Sequence, residues 1–369
     1  MTHEKSLRVL HVLGELRPSG AEVMLKVAAP HFLKNNIQIG ILSTGENETG
    51  PYAGALSDCG YALHHLPFSR SAKFLGDLRK LIATQNYEIV HLHTERASFW
   101  MALATVSMAR VVRTIHSNFQ FTGLLRMRRI ATRALSRLAG VQHIAISPSV
   151  QENEKRRFLN PSVLCCNWYD DQKFYPPNEA ERSLARQKLG LSDSTFAVIS
   201  IGNCAPVKNH TLLFETISQM KDRRDIRYLH VGHEDDEQSE RRLSEKLGIS
   251  SSVIFLSHKN DVRDALIAAD CFLMPSLYEG FGNAAIEAIA VGLPAILSNT
   301  PAFLDFSEWF KGIDIVSLNA EDWANAISHM TVQSKAELRA GTSGNTDLAN
   351  KLFSTASGVE RYCKIYRDS

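Results

Sequence analysis

Runs of β-branched and aliphatic residues, each closed by a glycine or polar turn and followed by a helical stretch, recur along the whole of this 369-residue chain. That rhythm is a strong constraint. Strands joined through helices lie parallel, because the crossover returns the chain to the same end of the sheet, and the helices then cover both faces. LRVLHVLG (7–14) reads as a buried strand, AEVMLKVAAPHFLKN (21–35) as an amphipathic helix and IQIGILS (37–43) as the next strand; YALHHLPF, YEIVHLH, ARVVRTIHS and QHIAISP continue the series. A second series follows in FAVISIGN (196–203), IRYLHVG (226–232), SVIFLS (252–257), DCFLMPS (270–276) and LPAILSN (293–299). Between them NWYDDQKFYPPNEAE (167–181), polar, aromatic and carrying a Pro-Pro pair, predicts a linker. The tail from about Glu337 to Tyr366 reads as helical, weakened at Gly341, Gly344 and Gly358. The expectation is an α/β protein with domains 1–168 and 169–350 and a C-terminal helix, 351–369, packing back on the first domain.

The formal net charge of +2 gives no bulk electrostatic case for nucleic acid. Its distribution says more. Residues 1–165 hold 20 Lys and Arg against 11 Asp and Glu, which leaves 21 against 28 for the remainder. A basic first half and an acidic second half fit two domains with different ligands. The six cysteines (Cys59, Cys165, Cys166, Cys204, Cys271 and Cys363) form no C-x-x-C pair, so neither a disulfide framework nor a zinc pattern is read from them. No stretch approaches the ~18 apolar residues that cross a bilayer. The expected location is cytoplasmic, at most peripheral at the inner face of the membrane.

Open parallel sheets bind ligands beyond the carboxyl ends of their strands. This points to Gly14–Glu22, His93–Arg96, His116, Ser147, Gly202–Lys208, Gly232 and Ser276–Glu287. The richest of these segments is PSLYEGFGNAAIEA (275–288), with a strand expected to end at Met274 and a helix to begin near Asn283 as its N-cap. Gly280 and Gly282 let the backbone approach a ligand closely, and the amides at a helix start favour a phosphate. Glu279 and Glu287 would repel that phosphate. They suit the hydroxyls of a sugar on either side of it.

EGFGNAAIE resembles the E-x7-E motif of the family-4 retaining glycosyltransferases, whose GT-B fold sets two facing Rossmann-like domains about a cleft. LRPSGAEVMLKVA is similar to that family's N-terminal glycine loop, and YEIVHLH and VVRTIHS to strands that present histidines. IAISPSV and NWYDDQKFYP resemble the segments that close the first domain, and VKNH and DVRDALIAADCFLMPS parts of the second. The resemblance implies a metal-independent hexosyltransferase without a cofactor. It would take a nucleotide diphosphate sugar, UDP favoured over GDP, and extend a saccharide or lipid-linked acceptor in surface polysaccharide or lipopolysaccharide biosynthesis. Glu279 would touch the donor sugar and Glu287 the ribose, the backbone at Gly280, Phe281 and Gly282 would hold sugar and diphosphate, and Lys208 would neutralise the leaving group. His116, with His93 beside it, would serve the acceptor side, and Gly20 would keep the first loop tight. Two departures stand out. The family usually has an arginine where this chain has Asn203, and the glycine-rich stretch after the motif helix is replaced by SNTPAFLDF.

Other readings stay open at this point. The same architecture serves sugar-nucleotide epimerases and phosphorylases, and Asn203 would fit a catalytically weak relative acting as a binding partner. His233 to Glu237 form an acidic run without metal-ligand spacing elsewhere, and Asp170-Asp171 read as turn chemistry. In 119–140, Arg126, Arg129, Arg133 and Arg137 recur among leucines at helical spacing, which predicts a helix with either a solvated arginine face or an affinity for an anionic membrane.

Overall fold

The computed structural model describes residues 6–46, 48–95, 97–257 and 262–368. Arg96 and Asp261, the latter opening the DVRDALIAADCFLMPS stretch, lie outside the described residues. The chain divides into two units, Met1–Trp168 with Phe353–Ser369, and Tyr169–Leu352.

The first unit holds strands β1 (Leu7–Leu13), β2 (Ile37–Ser43), β3 (Ala62–His65), β4 (Ile89–Leu92), β5 (Arg110–Ile115), β6 (Gln142–Ala145) and β7 (Val163–Leu164). They form one parallel sheet in the order β3-β2-β1-β4-β5-β6-β7. The strand order turns back between β1 and β4, because the chain fills one side of β1 before crossing to the other. Such a switch point leaves a crevice at the strand ends. The two-residue β7 was not legible in sequence, since nothing so short carries a period.

The helices Gly20–Lys34 and Thr355–Arg367 pack together on this sheet, burying Phe32, Tyr362 and Tyr366 in one core with Val9, Leu13 and Trp168. Gly358, which reads as a weak point, sits within the second of these helices for a steric reason. A Cβ there would lie 2.3 Å from Cε3 of Trp168. The expected linker is therefore corrected at its start. Trp168 is fully buried, its Nε1 donates to the carbonyl of Met24 at 3.0 Å, and Tyr169 and Phe174 are buried too. Asn178 and Glu181 then form a capping box that starts the helix Glu179–Lys188.

The second unit holds β8 (Phe196–Ile201), β9 (Ile226–Gly232), β10 (Val253–Ser257), β11 (Cys271–Met274), β12 (Ala295–Ser298) and β13 (Ile313–Val316), parallel in the order β10-β9-β8-β11-β12-β13. β13 is a sixth strand where sequence gave five. It is a half-buried edge strand carrying Asp314, so its apolar signal is diluted.

The helix Gly123–Leu138 corrects the expectation of a solvated arginine face. Arg133 is buried and grips Glu154 through two bonds of 2.6 and 2.9 Å, its guanidinium 4.3 Å from the Phe158 ring. Arg129 lies 3.4 Å from Glu95, and Arg126 donates to the carbonyl of Arg157. Arg129 and Arg133 turn toward the carboxylates of Glu95 and Glu154, whereas Arg137 is exposed and donates to the carbonyl of Leu159. The exposed face is mixed, with Leu124 at 90% exposure, Leu138 at 83% and Leu125, Met127 and Leu135 also exposed beside Arg128 and Arg137.

Candidate functional site

In the second unit, β8 and β11 flank the place where the strand order reverses. After β8 the chain runs through Gly202 and Asn203 into a short turn, Pro206–Lys208, and then the helix His210–Gln219. After β11 it runs through Pro275–Gly282 into the helix Asn283–Ala290. The two loops are tied together. Leu277 N donates to the carbonyl of Val207 at 2.8 Å, and Asn209 Nδ2 to that of Pro275 at 3.3 Å. This brings Lys208 Nζ to 2.7 Å from Glu279 Oε1, both side chains being partly open to solvent at 26% and 13%. A cation and a carboxylate that lie 71 positions apart in sequence thus form one pair at the strand ends.

The motif helix begins one residue earlier than its expected cap. Gly282, not Asn283, is the N-cap, with a φ of 95° that favours glycine. A Cβ there would also meet Phe303 Cε1 at 2.7 Å. The Phe281 ring is buried edge-on against Phe306, with centroids 5.3 Å apart, so a ligand would meet this residue through its backbone. Gly280 is buried beside it. Glu287 lies half-buried one helical turn inside, and burial pushes its carboxyl up to about 8, with Asp170 adding to the rise and Lys173 opposing it. It is therefore largely neutral at pH 7 in the ligand-free chain. Asn203 is exposed and accepts a bond from His233 N at 3.2 Å, bracing the loops after β8 and β9.

Sequence reasoning missed a buried group behind this loop. His210 Nδ1 lies 2.8 Å from Glu240 Oε1, and His230 Nε2 lies 2.7 Å from Glu240 Oε2. Burial alone would raise the Glu240 carboxyl, but the two imidazoles outweigh it and hold it at about 2. A histidine inside the aliphatic strand IRYLHVG was the available signal. The acidic run nearby is consumed in pairing, Glu234 with Arg241 at 2.6 Å and Glu237 with Arg242 at 2.9 Å, while Asp235 accepts from Ser239 N at 2.7 Å.

In the first unit, histidines gather at the carboxyl ends of β1, β4 and β5. His11 and His91 are cross-strand neighbours in β1 and β4, and His93 and His116 follow β4 and β5. His11 Nδ1 lies 2.8 Å from His93 Nε2, and His93 Nδ1 lies 2.9 Å from His116 Nε2. The Tyr366 hydroxyl lies 2.6 Å from His91 Nδ1 and 3.3 Å from His11 Nε2, and His91 Nε2 lies 2.6 Å from Thr114 Oγ1. Burial drives all four rings toward the neutral form, His11 down to about 3 and His116, with Arg113 near it, to about 4. His93 and His116 are thus brought together as expected candidates, whereas His11, His91 and Tyr366 were not foreseen.

Among the described residues, ring nitrogens of His11, His91 and His93 come within 4.8 Å of one another, as do ligand atoms of His210, His230 and Glu240. In the first set every nitrogen already has a partner at hydrogen-bonding distance. Gly20 is the exposed first residue of the helix Gly20–Lys34, after Ser19, whose hydroxyl bonds the buried Glu22 carboxyl.

Residues 18–171 match the family Glycosyltransferase Family 4, and residues 181–346 match Glycosyl transferases group 1. The chain is 27% identical over 315 residues to EpsF of Bacillus subtilis (strain 168), a match spanning 79% of each. It is 25% identical over 276 residues to the UDP-Gal:alpha-D-GlcNAc-diphosphoundecaprenol alpha-1,3-galactosyltransferase of Escherichia coli, covering 68% of this chain and 70% of that one. Its fold is similar to that of Anabaena Alr3699/HepE in complex with UDP and glucose, with a TM-score of 0.81 at 17% identity over 98% of this chain and 100% of the other. That likeness establishes the GT-B fold class.

Proposed function

The chain belongs to the glycosyltransferases of the group 1 and family 4 type, and from that premise we propose that it moves a hexose from a nucleotide diphosphate sugar to a saccharide or lipid-linked acceptor. UDP is the favoured nucleotide, the anomeric configuration is retained, no metal takes part, and the product belongs to surface polysaccharide or lipopolysaccharide biosynthesis. The observation that carries the reading is the 2.7 Å pair of Lys208 and Glu279 beside the Gly280–Gly282 turn and the helix bearing Glu287.

In the ligand-free chain the pair neutralises itself. An arriving diphosphate competes for Lys208, and the helix start at Asn283 supports the negative charge. Lys208 then stabilises the charge that grows on the departing diphosphate. Glu279, released, accepts from hydroxyls of the donor sugar, and Glu287 from those of the ribose. Asn203 lacks the bidentate cation of an arginine, so Lys208 acts as a point charge in this loop. His116 and His93 serve the acceptor. The E. coli relative named for a diphosphoundecaprenol substrate and UDP-Gal, and the Anabaena structure holding UDP and glucose, support the donor and acceptor classes.

The exposed, mixed face of Gly123–Leu138, a helix without a single acidic residue, supports peripheral binding to an anionic membrane where a lipid-linked acceptor resides.

A panel of UDP-, GDP- and ADP-sugars with and without added acceptor tests the reading. We expect turnover with one nucleotide class, and a loss of roughly 10²–10³-fold in Glu279→Gln. Nucleotide binding with no turnover of any donor would favour a binding partner instead, and C2 inversion of the free sugar nucleotide would favour an epimerase.

A further inference from the structure

Four histidines of the first unit, His11, His91, His93 and His116, form a continuous hydrogen-bonded line that begins at a hydroxyl. From Thr114 it passes through His91, Tyr366, His11 and His93 to His116, with successive contacts of 2.6, 2.6, 3.3, 2.8 and 2.9 Å. Each ring uses both nitrogens in this line except His116, whose Nδ1 is the end of it. A neutral imidazole carries one N–H and one lone pair, so each ring must donate on one side and accept on the other. The burial of all four rings enforces neutrality. With the Tyr366 hydroxyl giving its one proton to His91 or to His11, the protons along the line run in one of two orders, all one way or all the other.

The geometry distinguishes the two orders. The tyrosine hydroxyl is the stronger donor, and O–H donors make the shorter bonds. Tyr366 lies 2.6 Å from His91 Nδ1 but 3.3 Å from His11 Nε2, so its proton goes to His91. His91 then carries its proton on Nε2 and gives it to Thr114. The Tyr366 oxygen accepts from His11 Nε2–H, His11 Nδ1 accepts from His93 Nε2–H, and His93 Nδ1 accepts from His116 Nε2–H. We propose that Tyr366 is a positioning residue that fixes, through His11 and His93, the tautomer of His116, with its proton on Nε2 and a bare lone pair on Nδ1.

That lone pair is the acceptor a substrate hydroxyl needs when it must give up its proton. This consequence rests on the transferase reading above; the tautomer itself does not. Burial, and after it the charge of Arg113 on β5, which pairs with Glu95, disfavours an imidazolium at His116 and keeps the ring in the form the line requires. Burial raises the Tyr366 phenol, with Tyr362, Cys165, Cys363 and Tyr61 adding to the rise, and keeps it a donor.

The test is ¹⁵N-histidine NMR of the full chain, with His116 identified from the spectrum of His116→Gln. We expect a pyrrole-like Nε2 and a pyridine-like Nδ1. Tyr366→Phe keeps the ring but removes the oxygen, leaving His11 Nε2–H a buried orphan in the original order and only a bare lone pair in the reverse one. Orphaned buried donors are the less tolerated, so the line should reverse and place the His116 proton on Nδ1. With an active donor and acceptor pair, kcat should then fall at least about tenfold with donor KM unchanged. Tyr362→Phe, on the same helix, removes only a 3.3 Å contact with Thr114 Oγ1 at the far end of the line, where Thr114 can still accept from His91, and should leave the His116 tautomer alone. A wild-type His116 protonated on Nδ1 would overturn the proposal, even if Tyr366→Phe did not fold. So would an unchanged tautomer in a folded Tyr366→Phe. Absent transfer activity with the tautomer as stated would count against the function and not against the line.

Discussion

Glu287 gives the proposed donor site a pH dependence that can be worked out in advance. Its carboxyl is raised to about 8 by burial, so below that pH the ligand-free chain holds it protonated. Two neighbouring ribose hydroxyls are best met by a carboxylate, which accepts from both, while the protonated form has one oxygen occupied as a donor. If only the ionised form binds, affinity is weakened by one plus ten to the power of the difference between 8 and the working pH. That is about 30-fold at pH 6.5 and about 1.3-fold at pH 8.5, a rise of roughly 25-fold across the interval. The sign follows from a raised acid, whose charged form becomes available only as pH climbs through about 8. Calorimetric titration with intact UDP-glucose measures it cleanly, because the diphosphate in that donor lacks the monoester group that titrates near ~6. His116, lowered to about 4, stays neutral throughout the interval. Glu287→Gln should bind more weakly at pH 8.5 and show a flat profile. A flat profile in the wild type would refute the reasoning, since it would mean that the neutral carboxyl is the binding form.

Two further outcomes are expected. Gly282→Ala combines a φ of 95° with a Cβ 2.7 Å from Phe303 Cε1, so thermal or denaturant unfolding should show a loss of about 1–3 kcal/mol, and donor affinity should fall with it. Leu124→Asp with Leu138→Asp should abolish flotation with anionic liposomes while leaving turnover of a water-soluble acceptor within about twofold, because both side chains are exposed and surface changes are mild; flotation unaffected by the charges would remove the membrane reading.

Much of the architecture was legible because parallel sheets write themselves as aliphatic runs between helices. FAVISI and CFLM are buried on both faces and stand out in sequence, whereas IDIV at the sheet edge, half-exposed and carrying Asp314, does not. The meeting of Lys208 with Glu279 was legible only as two strand ends on one sheet; the bonds from Leu277 to Val207 and from Asn209 to Pro275 that set their distance have no sequence signature. The helix with four arginines was misjudged for a related reason. Spacing places Arg126, Arg129, Arg133 and Arg137 along a helix, but which side faces inward depends on Glu95 and Glu154, far off in sequence. The line to His116 was hidden likewise, since Tyr366 lies 275 positions from His91.

Because Phe353–Ser369 belongs with Met1–Trp168, the polypeptide leaves its first unit and later comes home to it. Topologically the second unit is a cassette inserted into the first. Exchanging residues 169–352 between relatives would carry over one whole unit and leave both ends of its host intact. Cutting the chain once, after Trp168 or before Phe353, would instead strip the host of the helix that bears Tyr362 and Tyr366. Gene fusion or recombination at a single junction should therefore fail where a two-point swap succeeds.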